Sequence, residues 1–208
     1  KGILLIVTGM AVLPFMDVIA KKLGSDGVPV LQIVWARMVF GAVLTLPFAL
    51  RQSGGRGILP QRPGLHALRA LLLMGATFFF FSALLTLPIA DALAIFFVQP
   101  LVVTALSPWV LGEKVGRRRW AAVFVGFVGT LIIIRPGFQD INPGVILALG
   151  AGASLALYML MTRRIAGRAA AVVTTFHTSA MGALITTAFV VFLWEPPTLA
   201  QWGLFLMI

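Results

Sequence analysis

Long apolar runs, separated by short polar or glycine- and proline-rich breaks, recur along the whole chain. They cover residues 2–22, 30–50, 66–88, 91–111, 117–135, 143–165 and 171–193, and an eighth opens near Thr198. About 20 helical residues are needed to cross a bilayer core of roughly 30 Å, so each complete run has the length of a membrane-spanning helix. The breaks carry turn chemistry: Gly24-Ser25-Asp26-Gly27, the longer stretch from Arg51 to Gly64, Arg135-Pro136-Gly137, and Glu195-Pro196-Pro197. Regular alternation of polar and apolar residues is absent, which removes a transmembrane β-barrel. The pattern predicts an all-α integral membrane protein, a polytopic helix bundle with no separate soluble domain.

Composition strengthens this picture. Of the 208 residues, 60% are hydrophobic and 11% charged, against about 25% charged in an ordinary soluble domain; the mean hydropathy is +1.04. So few charges cannot solvate the surface of a water-soluble protein of this length. The first run, Gly2 to Ala20, is long for a signal peptide, lacks a small-x-small cleavage site and ends on Lys21-Lys22, so it is expected to be a true span. The chain starts without Met and stops at Ile208 inside an apolar run, which leads us to expect a piece of a longer protein. There are no cysteines, hence no disulfide or thiol chemistry.

The net charge of +10 would suit a nucleic-acid binder, since basic proteins attract phosphate. The basic residues, however, sit in short loops between apolar runs, which is how membrane orientation is encoded. Loops two, four and six hold Arg51, Arg56, Arg62 and Arg69, then Lys114, Arg117, Arg118 and Arg119, then Arg163, Arg164 and Arg168, whereas loops one, three, five and seven hold Lys21, Lys22 and Arg135. That is 11 against 3. The even-numbered loops, and the N-terminus with Lys1, are therefore expected in the cytoplasm.

A weak internal repeat accompanies this arrangement. An offset of 142 places Gly2 on Gly144 and Lys21-Lys22 on Arg163-Arg164. An offset of 141 places Gly41-Ala42-Val43-Leu44-Thr45 on Gly182-Ala183-Leu184-Ile185-Thr186. One such unit holds five spans, an odd number, so a second copy must be inverted in the membrane. Residues 1–137 would form one five-helix repeat and 138–208 a truncated second one, ending at the start of helix 8. Inverted repeats are characteristic of secondary transporters, which expose one central site to each side in turn.

Three stretches resemble the EamA-type family of the drug/metabolite transporter superfamily. The first is Met16-Asp17-Val18-Ile19-Ala20-Lys21 with Gln32 and Arg37. The second is Ala90-Asp91-Ala92-Leu93-Ala94-Ile95, then Gln99-Pro100 and Leu111-Gly112-Glu113-Lys114. The third is Trp120 followed by Gly126, Gly129 and Arg135-Pro136-Gly137. The resemblance implies a ten-helix carrier of small organic solutes, with both termini cytoplasmic and a central cavity between inverted five-helix halves. It also implies a bacterial inner-membrane setting. The expected partners are a small organic solute and membrane lipid, with a homodimer left open and no nucleic acid.

Charged and polar residues inside the runs are the candidate substrate-binding or gating groups, because a charge within the membrane is costly and marks a partner or a pathway. Asp17 and Arg37 lie at comparable depth on helices 1 and 2. They pair across the bundle and serve transport, or Asp17 pairs structurally with Lys21 one turn away. Gln99 and Pro100 place an amide beside a backbone turn that proline loosens, a solute contact and hinge or a packing kink. Phe78 and Ser82 share a face of helix 3, and Ser154 and Tyr158 a face of helix 6, as cavity wall or as core. His177 on helix 7 is a proton relay or a packing residue. Asp91 is expected to complement the dipole at a helix start, and Glu113 to pair with the basic cluster after helix 4.

No metal ligand set, cofactor motif or phosphate-binding loop is present, so ATP drive within this chain has no support. A membrane-embedded enzyme is also disfavoured, since Asp17 and His177 stand in opposite halves at different depths. The expected function is secondary active or facilitative transport by alternating access. The alternative is a channel-like or non-transporting scaffold. Among carriers, Asp17, Lys21, Gln32 and Arg37 look somewhat like members that take up riboflavin or adenosylmethionine, with amino-acid or drug export as the competitor.

Overall fold

The computed structural model describes residues 2–53, 63–134, 142–165 and 170–208. Side chains are described from Pro14 onward within those ranges, except Ile133, Ile134 and Ile165. Arg56, Arg62, Arg168 and the Arg135-Pro136-Gly137 turn lie outside the described residues. The elements are α1 (Gly2–Ser25), α2 (Val30–Ser53), α3 (Pro63–Leu84), α4 (Ile89–Phe96), α5 (Gln99–Leu111), α6 (Arg117–Ile134), α7 (Pro143–Ile165), α8 (Ala171–Val190) and α9 (Leu199–Phe205). No strand occurs among the described residues. The protein is an all-α polytopic membrane protein.

Five helical segments among the described residues are long and apolar enough to cross a membrane: Val30–Ser53, Pro63–Leu84, Ile89–Leu111, Pro143–Arg164 and Ala171–Leu193. The first and fifth predicted runs also form helices, α1 and α6. Three of the 18 residues of α6 are the arginines that open it, so its apolar part is about 22 Å long. This helix packs at the rim against α4 and α5. Its Phe124, Val125, Phe127 and Ile132 are exposed, as suits side chains whose surroundings are lipid tails.

The fourth run is broken. Pro100 has no N–H to offer the carbonyl of Phe96, and the helix ends at that residue to restart at Gln99. Tighter bonds bridge the gap, from the Val98 N–H to the Ile95 carbonyl and from the Leu101 N–H to the Val98 carbonyl, each 3.0 Å. The break therefore falls where proline loosens the preceding turn. Gly112, in the left-handed region at φ 71°, ends α5 with its N–H on the Pro108 carbonyl. Glu113 is exposed and joins no ion pair among the described residues. The turn is shaped by the glycine rather than by the charge pairing expected of Glu113.

The core is built on two antiparallel interfaces, α2 with α8 and α3 with α7. Small residues set the first. A methyl group on Gly182 would stand 2.8 Å from the Met38 sulfur, and one on Gly41 would stand 3.2 Å from Ser179 Oγ. The crossing is reciprocal, because Met38 and Ser179, like Gly41 and Gly182, are 141 positions apart. Thr45 and Thr186 repeat the relation. Each hydroxyl donates back to its own helix, Thr45 to the carbonyls of Gly41 (2.6 Å) and Ala42 (3.3 Å), Thr186 to those of Gly182 (2.8 Å) and Ala183 (3.2 Å).

Contacts between loops place one, three, five and seven at the same end of the bundle. Lys21 Nζ donates to the Leu87 carbonyl (2.8 Å), and Asn142 Nδ2 to the Thr86 carbonyl (3.2 Å) while its Oδ1 caps α7 through the Gly144 N–H. The fully buried Gln32 amide pairs with both backbone groups of Glu195 (2.8 and 3.2 Å). Trp35 lies edge-on to Trp194 at 5.2 Å and donates to Thr187. The opposite end carries exposed Arg51, Lys114, Arg117, Arg118, Arg119, Arg163 and Arg164 and is called the basic end below. Arg69 does not belong with them. It is 1% exposed, inside α3, which lowers the loop count from 11 to 10.

Candidate functional site

Two layers of polar side chains sit between the apolar faces of the bundle. The layer nearer the odd-loop end is Asp17 and Arg37, each about 10–12 Å from the helix end on that side by residue count. Both are partly buried, and each lies within electrostatic reach of the other. Lys21, the neighbour one turn from Asp17, turns instead to the Leu87 carbonyl. Among the described residues the ion pair closed to contact is Lys22–Asp26, at 2.8 Å on the surface. Asp17 itself closes to contact with neither Arg37 nor Lys21 among the described residues.

The second layer lies about 9–10 Å from the basic end, where α3, α7 and α8 meet. Arg69 donates from Nε to Thr162 Oγ1 (3.2 Å) and from Nη2 to the Tyr158 hydroxyl (3.4 Å). Its guanidinium carbon stands 5.2 Å from the centre of the Tyr158 ring, a cation–π arrangement. The rings of His66 and His177 meet edge to face at 4.8 Å, and His66 is within electrostatic reach of Arg69. By residue count Tyr158 is the deepest member of this layer, about 10 Å from the end of α7.

Helical spacing explains why these groups meet. Ser154, Tyr158 and Thr162 recur every four residues and line one stripe of α7. On α3, His66 and Arg69 are one turn apart on the face that also buries Ala70, Ala76 and Thr77. Gly75 of α3 comes close to Ser154, whose Oγ would lie 3.8 Å from a methyl group there. The two stripes face one another over most of the span.

The other expected site residues are placed less centrally. Gln99, at the α4–α5 break, donates to the Met159 sulfur on α7. Pro100 is exposed on the first turn of α5. Phe78 is 37% exposed and lies edge-on to Phe79, while Phe80 and Phe81 carry the buried aromatic packing of α3. Ser82 is partly buried on the same helix. Asp91 is exposed in the first turn of α4, where no side chain caps the helix.

His66 and Arg69 were missed from the sequence. The run containing them was started at His66, so both were assigned to its boundary and Arg69 was counted with the loops. The available signal was an arginine followed by 21 residues free of charge, with a histidine one turn before it. Tyr158→Phe removes the hydroxyl that Arg69 donates to and keeps the ring beneath it. We expect solute flux to fall about tenfold, with the melting temperature changed by no more than a few degrees. Stopped-flow uptake and a thermal melt in detergent measure the two effects.

The model of the EamA-like transporter family matches residues 1–135. The chain belongs to this family. Among curated relatives, the S-adenosylmethionine uptake transporter of Rickettsia prowazekii (strain Madrid E) is 25% identical over 182 residues, covering 88% of this chain and 61% of the relative. The riboflavin transporter of Vibrio cholerae is 30% identical over 67% of this chain and 47% of the relative. The pseudopaline exporter of Pseudomonas aeruginosa is 28% identical over 100% of this chain and 73% of the relative. The chain thus spans about 61–64% of the length of the S-adenosylmethionine transporters it matches. A solved crystal structure shares the fold, with a TM-score of 0.59 and 22% identity over 97% of this chain and 73% of the other.

Proposed function

We propose that the protein is a secondary or facilitative carrier that moves a small organic metabolite by alternating access, and not an enzyme. What carries this is the pair of polar layers within the bundle, Asp17 with Arg37 and Arg69 with Tyr158 and the histidine pair. Ionisable groups deep within spans are expensive and mark solute routes. Family membership and the names of the relatives point the same way. Those relatives include two uptake systems and one exporter, so both directions of transport are open for this chain. A cytoplasmic N-terminus is supported by the basic-end charge excess, and a bacterial inner-membrane location by the bacterial relatives.

The alternating mechanism needs two halves that exchange conformations. Residues 1–137 would form one half and 138–208 part of the other, inverted. The reciprocal α2–α8 crossing supports this, since Gly41 meets Ser179 while its counterpart Gly182 meets Met38, the counterpart of Ser179. The broken α4–α5 helix, packed on α7, is the element suited to bend between states.

Reconstituted full-length protein provides the test. Uptake of radiolabelled S-adenosylmethionine, riboflavin and a panel of amino acids into proteoliposomes is expected to saturate for at least one solute and to show counterflow. Linear, unsaturated flux for every permeant solute would instead indicate a channel-like bundle.

A further inference from the structure

Resting on the carrier reading, we propose that the solute carries an oxyanion, a carboxylate or a phosphate group, and that Arg69 with His66 is its binding subsite near the basic end. Arg69 is 1% exposed, and its Nη1 has no hydrogen-bond partner among the described residues. His66 is 8% exposed and its Nδ1 is likewise unpartnered. The groups that do touch the guanidinium, Thr162 and Tyr158, are neutral. A buried cation with only neutral neighbours is a costly arrangement, and an ion of opposite charge offsets the cost.

None of the acids among the described residues supplies that ion. The chain has six acids. Asp17 lies in the other layer with Arg37. Asp26 is paired with Lys22. Asp91 and Glu195 are exposed at the odd-loop end, and Glu113 is exposed beyond the end of α5. Asp140 lies outside the described residues. Among the described residues the two interior guanidiniums therefore have one interior carboxylate between them, and no acid stands beside Arg69.

Arginine suits this task because its planar fork matches the spacing of two oxyanion oxygens and keeps its charge at every physiological pH. With Nε and Nη2 held by Thr162 and Tyr158, Nη1 is the free prong, fixed in direction by the other two. The imidazole of His66, one helical turn away, can give a second hydrogen bond to the same group. Arg69 is enclosed by protein rather than lipid, so a solute moving through the bundle is favoured over a lipid headgroup as the source of the oxyanion.

Matched probes isolate the charge. Full-length protein in proteoliposomes is assayed with S-adenosylmethionine against its decarboxylated analogue, and with flavin mononucleotide against riboflavin. Inorganic phosphate and acetate serve as competitors. In at least one pair, the oxyanion-bearing member is expected to be favoured about tenfold to a hundredfold, the range of a charge-assisted hydrogen bond. Arg69→Gln should collapse that preference, and Arg69→Lys should keep part of it. A thermal melt and size-exclusion profile show whether each variant is folded; if Arg69→Gln is not, competition by the inorganic oxyanions against wild-type flux decides. Vesicles of graded anionic-lipid content separate the sources: inhibition of wild-type flux that rises with anionic lipid and is lost in Arg69→Gln, with no preference among the solutes, assigns the site to a headgroup and overturns the proposal.

Equal or better flux of the members without the oxyanion, unchanged by Arg69→Gln, also overturns the proposal and leaves the carrier reading standing. The same holds if the preference survives Arg69→Gln, as it would where an acid from another part of a longer protein caps the guanidinium. Absence of saturable flux for every probe sinks both.

Discussion

Arg37→Ala is expected to abolish saturable solute flux and to lower the melting temperature, and Asp17→Asn to do the same to a smaller degree. Removing the guanidinium leaves a carboxylate inside the span without its cation. Breaking a buried pair from one side costs about 3–5 kcal/mol, reduced here because both groups are only partly buried. Removing the carboxylate instead leaves Arg37 near Tyr158 with no acid in reach among the described residues. The double variant Asp17→Asn/Arg37→Gln then loses less than the sum of the single changes, and a thermodynamic cycle should return a coupling of about 1–3 kcal/mol.

Stability and flux separate the two roles open to this pair. If the pair only holds α1 against α2, the double variant recovers both melting temperature and transport. If it also meets the solute, stability recovers while counterflow stays at least tenfold down. Unchanged kcat and KM in Arg37→Ala would remove the pair from the transport pathway altogether. Arg37→Lys adds a further check, since it keeps the charge but not the planar fork.

Gly152→Ala is the second large effect, and it acts on the hinge. A methyl group at this position would stand 2.9 Å from the Phe96 carbonyl oxygen and 2.7 Å from Val98 Cγ1. The valine can rotate. The carbonyl cannot move without shifting the broken turn between α4 and α5, so α7 must be pushed away. Overpacking of this kind costs about 1–3 kcal/mol, or roughly 3 °C of melting temperature per kcal/mol at this chain length. Gly152→Val should be worse. Gly129→Ala, where nothing lies within 4 Å, should change the melt by about 0.5 kcal/mol or less. Equal melts for Gly152→Ala and Gly129→Ala would show that the break does not rest on α7.

Much of the architecture was legible along the chain. The apolar runs give helices at all the expected positions, because a span buries its own backbone hydrogen bonds and needs only about 20 apolar residues in a row. The Thr198 start of the last helix is confirmed by a capping box with Gln201. The break at Pro100 follows from one missing N–H. The lateral pairing of helices was not legible. Apolar faces are alike by composition, and lipid does not force one particular stripe inward, so periodicity carries little directional signal within a membrane.

The same distinction runs through the site. Asp17 and Arg37 stood out because any charge deep in an apolar run is conspicuous. Whether either has a partner, with Lys21 turned away to Leu87, depends on how α1, α2 and α3 pack. Arg69 shows the limit most clearly. Near the end of a run, an arginine that snorkels to water and one enclosed by neighbours read identically. Only the meeting of α3 with α7 and α8 surrounds it with Thr162, Tyr158 and His66. The sequence by itself determined the solvent, the helices and the alternation of their ends, because these depend on local composition. The tertiary structure decided which buried charges have partners, because a partner in this bundle comes from a helix distant in the chain.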